Sequence, residues 1–183
     1  NTAAECHSLA QDVSNSLSEW YSCSGLSLNP KKSEYVPFNF DSDPIIVDGT
    51  HVQPKKCFKF LGCHIQADLG WSTQVQEVQK KMRSGAARIR TEGRNVGTKE
   101  RKALYFAWVQ SHIMCNAGAY VPLLGQNQMQ DIQTAANAGV RAVCRLPRQG
   151  EAPISSLRAQ LKIPSVEELR RRVLWTEAWK RQP

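Results

Sequence analysis

Basic side chains are concentrated in one segment of the chain, between residues 80 and 102. Lysine and arginine bind phosphate groups through their charge and their N–H donors. Only Glu92 and Glu100 oppose the positive charges of this segment. Such a segment is either a solvated surface or a surface that contacts a polyanion. Its basic residues are Lys80, Lys81, Arg83, Arg88, Arg90, Arg94, Lys99, Arg101 and Lys102.

The charge of the whole chain agrees with a polyanionic partner. The 183 residues include 24 lysines and arginines against 16 acidic residues, which gives a net charge of +8. Nucleic acid is the commonest partner of such basic chains, although many basic proteins bind none. No apolar stretch approaches the roughly 18 residues that are needed to span a membrane. We therefore expect no membrane partner.

The six cysteines are scattered, and no two of them form a Cys-x-x-Cys pair. This pattern predicts reduced thiols in a nuclear or cytoplasmic protein. Cys57, Cys63 and His64 are close in sequence, but consecutive residues of a strand point to opposite faces. The strand geometry therefore argues against joint metal ligation, and no metal site is predicted. The four histidines are isolated, and the aspartates between residues 41 and 48 are predicted to form turns.

Residues 1–70 are predicted to combine helix and strand. Leu9, Val13, Leu17 and Trp20 recur at helical spacing, and Gly25 follows as a C-terminal cap. Asp48-Gly49 is a strong hairpin turn signal. The predicted elements are a helix over residues 3–24 and strands over residues 33–40, 45–47, 51–53 and 56–65.

Residues 71–183 are predicted to be entirely helical. Ser165-Val-Glu-Glu168 has the pattern of a capping box, and Pro147 and Gly150 end the helix before it. The four tryptophans of this half, at positions 71, 108, 175 and 179, are predicted to lie in the core. The first predicted helix begins near Ser72. The others cover residues 98–117, with Thr98 as the cap, and residues 128–144, 153–161 and 165–179. The residues predicted to face inward are Val75, Val78, Met82, Ala86, Ile89, Leu104, Trp108, Ile113, Met129, Ile132, Ala136, Val140 and Val143.

Two strings at fixed spacing carry a family resemblance. An amphipathic helix ending in Trp20 leads into Gly25-Leu-Ser-Leu-Asn29 and then Lys32-Ser33-Glu34. Phe58-Lys-Phe60-Leu61-Gly62 follows, and then Asp68-Leu-Gly-Trp71 opens a long helix. This order resembles the last two palm motifs and the start of the thumb in reverse transcriptases of non-LTR (LINE-type) retrotransposons. The resemblance covers nearly the whole chain.

The resemblance implies an α+β fold and an RNA-directed DNA polymerase. Residues 1–70 would be the C-terminal part of the palm, and residues 71–183 the helical thumb with a C-terminal extension. Lys32 matches the family's lysine near the incoming dNTP, where a cation stabilises the developing phosphate charge or protonates the leaving group. Phe60, Leu61 and Gly62 match the primer grip, with Phe60 and Leu61 bracing the hairpin from the core. The duplex-binding residues would be Lys80, Lys81, Arg83, Arg88, Arg90 and Arg94.

The same resemblance implies partners outside these residues. The template–primer would be RNA with a DNA primer, and the rest of the palm and the fingers would lie upstream. The family's Tyr/Phe-x-Asp-Asp signature does not occur in the chain. The ligands of the two Mg²⁺ ions are therefore expected upstream, and this segment alone is expected to be inactive. Two alternatives stay open, namely a non-catalytic reverse-transcriptase-like scaffold that binds nucleic acid and a basic helical protein-interaction module.

Overall fold

The computed structural model describes residues 2–147 and 153–180. The fold is α+β, mostly helical with two small antiparallel hairpins. The chain divides into two compact units, one up to Gly70 and one from Trp71 onwards. The division falls at the residue where the sequence pattern changes from mixed to helical. Gly150, which was predicted to end a helix, lies outside the described residues.

The first unit is built on helix α1, Ala3–Cys23, whose start is fixed by a capping box. The Thr2 backbone N–H donates to Glu5 Oε2 at 2.8 Å, and the Glu5 N–H donates to Thr2 Oγ1 at 3.3 Å. The hairpin of β1, Ile45–Val47, and β2, Thr50–Val52, packs on this helix. Its turn is the predicted Asp48-Gly49, where both residues have positive φ angles of 47° and 72°.

Side chains of α1 fasten the edge of this hairpin. Gln11 Nε2 donates to the Ile46 carbonyl at 2.9 Å, and the Ile46 N–H donates to Gln11 Oε1 at 2.7 Å. The buried Ser14 hydroxyl donates to the same carbonyl at 2.8 Å. The small core beneath is formed by Ile45, Val47 and Val52, with Ala10, Leu28 and Tyr35 packed against it.

Two strand predictions for the first unit are wrong. Residues 33–40 form no strand, because Pro37 has no N–H to donate and Asn39 takes a positive φ of 61°. The segment is instead held at single points, where Tyr35 bridges Pro54 and the Asn39 N–H donates to the Ala67 carbonyl at 2.9 Å. The single strand predicted over residues 56–65 is a hairpin, formed by β3, Cys57–Phe60, and β4, Cys63–Gln66.

The second unit is a helical assembly around one apolar core. Every residue predicted to face inward from its first and third long helices is buried. Residue Ser165 opens the last helix through the predicted capping box, with its N–H donating to Glu168 Oε2 at 2.6 Å and its hydroxyl accepting from the Glu168 N–H at 3.1 Å. The helices are α2 Ser72–Glu92, α3 Thr98–Tyr105, α4 Ser111–Met114, α5 Ala117–Tyr120, α6 Gln126–Val143, α7 Ile154–Leu161 and α8 Val166–Lys180.

The helix predicted over residues 98–117 is interrupted by a π-helical segment, Phe106–Gln110, between α3 and α4. Across α3, this segment and α4, the fully buried apolar residues are Tyr105, Val109 and Ile113. The predicted Leu104 and Trp108 are only partly buried at the edge of the core. Thr98 is also not the cap. Gly97 occupies that position without a side-chain bond, and the Thr98 hydroxyl accepts from Arg101 instead.

The four tryptophans of the second unit do not share one environment. Trp71 and Trp108 are partly buried and pack against the edge of the core. Trp175 and Trp179 are 75% and 74% exposed on α8, so their predicted place in the core is wrong. Within the described residues, no helix has both the length and the apolar character needed to cross a membrane.

Candidate nucleic-acid interface

Helix α2 presents cations on one side and apolar residues on the other. Val75, Val78, Met82, Ala86 and Ile89 are buried against the rest of the second unit, which fixes the rotation of the helix. The opposite side therefore faces solvent. It carries the exposed Lys80, Lys81, Arg83 and Arg88.

Three of these cations are available to a ligand. Among the described residues, no hydrogen bond or ion pair engages the side chains of Lys80, Lys81 or Arg83. Lys80 and Arg83 are three residues apart, so they lie on one stripe of the helix with a rise of about 4.5 Å between them. Lys81 lies beside them. The pKa of the His112 imidazole is lowered mainly by burial and, to a smaller extent, by the charge of Lys81. The three side chains form a positive surface on a rigid element.

Arg88 is engaged within its own helix. Its Nε and NH2 atoms donate to the two carboxylate oxygens of Glu92 at 3.0 and 3.2 Å. The guanidinium also lies over the Trp108 ring, 4.1 Å from its centroid. The hydrogen bond from Arg88 is the main reason why the pKa of Glu92 is lowered. The positive charge of Arg88 is therefore compensated, and this residue is a weaker candidate for phosphate contact than its neighbours.

Arg90 and Arg94 have different roles. Arg90 is partly buried, and its NH1 donates to the Leu146 carbonyl at 2.7 Å. Arg94 is exposed, and its carbonyl accepts a bond from Arg145 NH2 at 2.6 Å. Arg94 therefore presents a side chain to solvent from a backbone that is held in place. Arg90 also lines a groove between α2 and α6.

Arg101 belongs to the interior although the sequence places it in the basic segment. It is 5% exposed, and its guanidinium donates to two carbonyl oxygens and one hydroxyl. Burial is the main cause that lowers its pKa, followed by the charge of Arg145. Nothing in the sequence pattern distinguishes Arg101 from the exposed Lys99 beside it. The cation cluster is therefore smaller than the sequence suggested.

In the first unit, Lys32 lies at the end of a short 3-10 turn, Pro30–Lys32, that Asn29 organises. The Asn29 side chain accepts from the Lys31 N–H at 3.1 Å, and its carbonyl accepts from the Ser33 hydroxyl at 3.0 Å. These bonds explain the spacing of Asn29, Lys32 and Ser33 in physical terms. The exposed Lys32 ammonium has no hydrogen bond or ion pair with any described residue.

The residues predicted as a primer grip lie at the β3–β4 turn. Leu61 and Gly62 are its two central residues, with φ angles of 46° and 86°, and Leu61 is 81% exposed. Phe60 is also exposed, so the prediction that Phe60 and Leu61 brace the hairpin from the core is wrong. A two-residue turn of this kind leaves its side chains in solvent. The tip is apolar and open to a ligand.

No three histidine, cysteine, aspartate or glutamate side chains in residues 2–147 and 153–180 are grouped so that they could hold a metal ion. Cys57 Sγ and His64 Nδ1 are 3.9 Å apart across β3 and β4, and Cys63 is buried.

No protein-family model, curated protein or solved structure matches the chain.

Proposed function

We propose that this chain is part of the RNA-directed DNA polymerase of a non-LTR retrotransposon, in which the second unit holds the template–primer duplex. The observation that carries the proposal is the positive surface of Lys80, Lys81 and Arg83 on α2. Cations on a helix with a buried opposite face bind phosphates at low ordering cost, because the backbone is already fixed. Such contacts set affinity and register without reading sequence.

The first unit would contribute to the nucleotide and primer sites. Lys32 stands on a turn whose shape is set by Asn29, so its ammonium is presented to solvent from a defined position. A cation there would stabilise charge on a dNTP triphosphate. The β3–β4 tip would approach the primer end, where Gly62 has no side chain to obstruct a sugar–phosphate backbone. Two Mg²⁺ ions on aspartates outside these residues would activate the attacking and leaving oxygens.

The apolar face of α1 supports the assignment of the first unit to part of a larger domain. Leu9, Val13 and Leu17 are exposed along one stripe and, with Leu28 and Tyr35, border an apolar groove of about 450 Å³. Contiguous apolar surface of this kind is typical of an interface. In the proposed polymerase, the remaining part of the palm would cover this stripe.

Replacing Leu9 and Val13 together by glutamine tests the exposure of this stripe. We expect the free energy of unfolding of the first unit to change by less than about 1 kcal/mol, since both side chains are in solvent. Self-association of the isolated chain, measured by sedimentation, should decrease. The matched control is Val47→Gln, which places an amide in the core of the same unit and should unfold it. A comparable loss of stability in both variants would contradict the exposed position.

The proposed function is tested by changing Lys80, Lys81 and Arg83 together to glutamine. We expect binding to a short RNA–DNA hybrid to weaken about a hundredfold at 0.1 M salt, because each phosphate contact releases about one counterion. The slope of log affinity against log salt should become shallower by about 2 to 3. Fluorescence anisotropy over a salt series measures both quantities.

The matched control for this experiment removes three exposed cations from the α7–α8 side of the same unit, at Lys162, Arg171 and Arg172. It changes the net charge by the same amount, so any effect of overall charge appears in both variants. Arg171 already pairs with Glu167 at 3.5 Å. If the two triple variants lose equal affinity, or if the unchanged chain does not bind the hybrid, the proposed function is wrong.

A further inference from the structure

Two tryptophans are exposed on α8, in the second unit. Trp175 and Trp179 are 75% and 74% exposed, whereas tryptophan on average buries most of its surface. Val166, Leu169 and Val173 are buried in the core from the other side of α8, which fixes the rotation of this helix. The packing of α8 therefore directs both indoles into solvent.

The spacing of the two indoles suits an unpaired strand of nucleic acid. Trp175 and Trp179 are four residues apart, so they share one face of α8 with a rise of about 6 Å between them. Bases that stack on each other in a duplex are only about 3.4 Å apart along each strand. Two bases held on the two indoles are therefore separated from each other, which an unpaired strand allows and a duplex resists.

The surface beside the indoles is positively charged. Arg171 and Arg172 precede Trp175 by about one turn and line a groove of about 530 Å³ between α7 and α8. Among the described residues of this groove, four are cationic and two are acidic, so the groove attracts a polyanion. Glu167, one of the two acids, already pairs with Arg171 at 3.5 Å. The charged residues of the groove are Arg158, Lys162, Glu167, Glu168, Arg171 and Arg172.

A lipid surface fits α8 less well than a nucleic-acid strand does. A helix that lies in a membrane interface inserts a wide apolar face among the lipids. The buried face of α8 is already covered by the core, and its exposed side presents Leu174 and the two indoles near two arginines. Flat aromatic rings beside cations are the arrangement that binds single strands, because the rings stack on bases and the cations attract phosphates.

We propose that Trp175 and Trp179 stack unpaired bases of a single nucleic-acid strand. Stacking tolerates any base, because every base has a flat π-surface. The cations of the α7–α8 groove attract the strand, and the indoles hold it. In the polymerase proposed above, this strand would be the part of the RNA template that is not paired with the primer. That identity rests on the proposed function, whereas the stacking rests on α8 alone.

The first experiment compares two single strands of equal length and charge. An oligouridylate carries bases, and an abasic oligonucleotide of the same length carries only the sugar–phosphate backbone. We expect the unchanged chain to bind the oligouridylate about a hundredfold more tightly, since each base stacked on an aromatic side chain contributes about tenfold. Fluorescence anisotropy of labelled strands measures both affinities. Equal affinities for the two strands would overturn the inference.

The second experiment assigns the preference for bases to α8. Changing Trp175 and Trp179 together to alanine should remove most of this preference and leave binding of the abasic strand unchanged. The matched control is Trp20→Ala, which removes a 61% exposed indole from α1 and should change neither affinity. Thermal unfolding reports whether the double variant folds. If it does not, the two single alanine variants take its place, each with an expected loss of about tenfold.

The outcomes separate this inference from the proposed function. If the unchanged chain binds a blunt hybrid but shows no preference for bases in single strands, the inference fails and the proposed function stands. If the preference for bases is present but the triple glutamine variant of α2 binds the hybrid normally, the proposed function fails and the stacking inference stands. A blunt hybrid has no unpaired base, so the triple variant on the α7–α8 side remains the control for duplex binding by α2.

Two further results would also overturn the inference. One is a folded double alanine variant of α8 that keeps the preference for bases, or a Trp20→Ala variant that loses it to the same extent. The other is binding to vesicles of anionic phospholipid that requires Trp175 and Trp179 while the oligouridylate does not bind. That result would assign the two indoles to a membrane surface.

Discussion

Replacing Gly85 by alanine is expected to destabilise the second unit by about 3 kcal/mol or more. Gly85 lies on α2 where this helix crosses the π-helical segment at Trp108. A Cβ at this position would overlap the Trp108 carbonyl oxygen and would lie 2.7 Å from its carbonyl carbon. Both atoms belong to the backbone, so no rotation of a side chain relieves the overlap. Overpacking of this kind forces two helices apart and costs about 1–3 kcal/mol or more.

The expected loss of stability is opposite in sign to the usual effect of replacing a helical glycine by alanine. In an exposed helix, glycine to alanine raises stability by about 1 kcal/mol, because alanine has the higher helix propensity. Urea unfolding followed by helical circular dichroism measures the change. Ser84→Ala, at the exposed position next to it, is the control and should leave stability equal or slightly higher. If Gly85→Ala also raises stability, the close crossing at Trp108 does not exist in solution.

Gly139→Ala provides a graded comparison on α6. A Cβ there would lie 2.8 Å from a carbon of the Tyr105 ring, which is a side chain and can shift. We therefore expect a smaller loss than for Gly85, although Tyr105 is itself fully buried and has little space to move. The same burial raises the pKa of the Tyr105 hydroxyl to about 12. A larger loss of stability for Gly85→Ala than for Gly139→Ala would agree with a backbone contact at Gly85 and a side-chain contact at Gly139.

The π-helical segment also explains where the sequence pattern failed. Apolar residues at regular helical spacing predicted Leu104 and Trp108 as inward residues. The buried residues Tyr105, Val109 and Ile113 recur at every fourth position, and the wider turn at Phe106–Gln110 keeps them on one face of the helix. Local sequence carries no marker of this extra residue, because the close approach of α2 at Gly85 is a tertiary contact. The long helices α2 and α6 follow the regular spacing, and their buried faces were predicted correctly, whereas the apolar stripe of α1 is exposed.

Of the two hairpin turns in the first unit, local sequence predicted one and missed the other. Asp48-Gly49 was recognised because both residues tolerate positive φ, which a two-residue hairpin turn requires. Leu61 also takes a positive φ, and leucine does so rarely. The β3–β4 hairpin was therefore predicted as one strand. A leucine held in this conformation at an exposed tip is locally unfavourable, and pairing of the two strands must compensate for it.

The sequence predicted where the exposed cations of α2 lie, but it did not predict the role of every basic residue. Positive charge along α2 follows from composition and helical spacing, and Lys80, Lys81 and Arg83 are exposed as that pattern requires. The pairing of Arg88 with Glu92, four residues later, also follows from helical spacing. The burial of Arg101 does not, because its hydrogen bond to the Val143 carbonyl depends on how two distant helices pack. Helix packing is set by the whole core, which no short window of sequence contains.

Replacing Arg101 by methionine is expected to cost about 3 kcal/mol of stability, although Arg101 was counted among the surface cations. Its Nε donates to the Val143 carbonyl at 2.7 Å, its NH1 to the Val96 carbonyl at 2.6 Å and its NH2 to the Thr98 hydroxyl at 3.1 Å. Val143 is the last residue of α6, where carbonyls have no partner within the helix. Methionine fills a similar volume without donors, so buried oxygens lose their bonds at about 1–3 kcal/mol each.

Two further variants separate this structural role from contact with nucleic acid. Lys99→Met, at an exposed position on the same helix, should change the free energy of unfolding by less than about 0.5 kcal/mol. Arg101→Lys keeps the charge but cannot reach three acceptors with one ammonium group, so it should recover only part of the loss. Because Arg101 is buried, hybrid binding by the folded fraction of Arg101→Met should equal that of the unchanged chain. A shallower salt slope in folded Arg101→Met would instead assign this arginine to the interface and contradict its place in the interior.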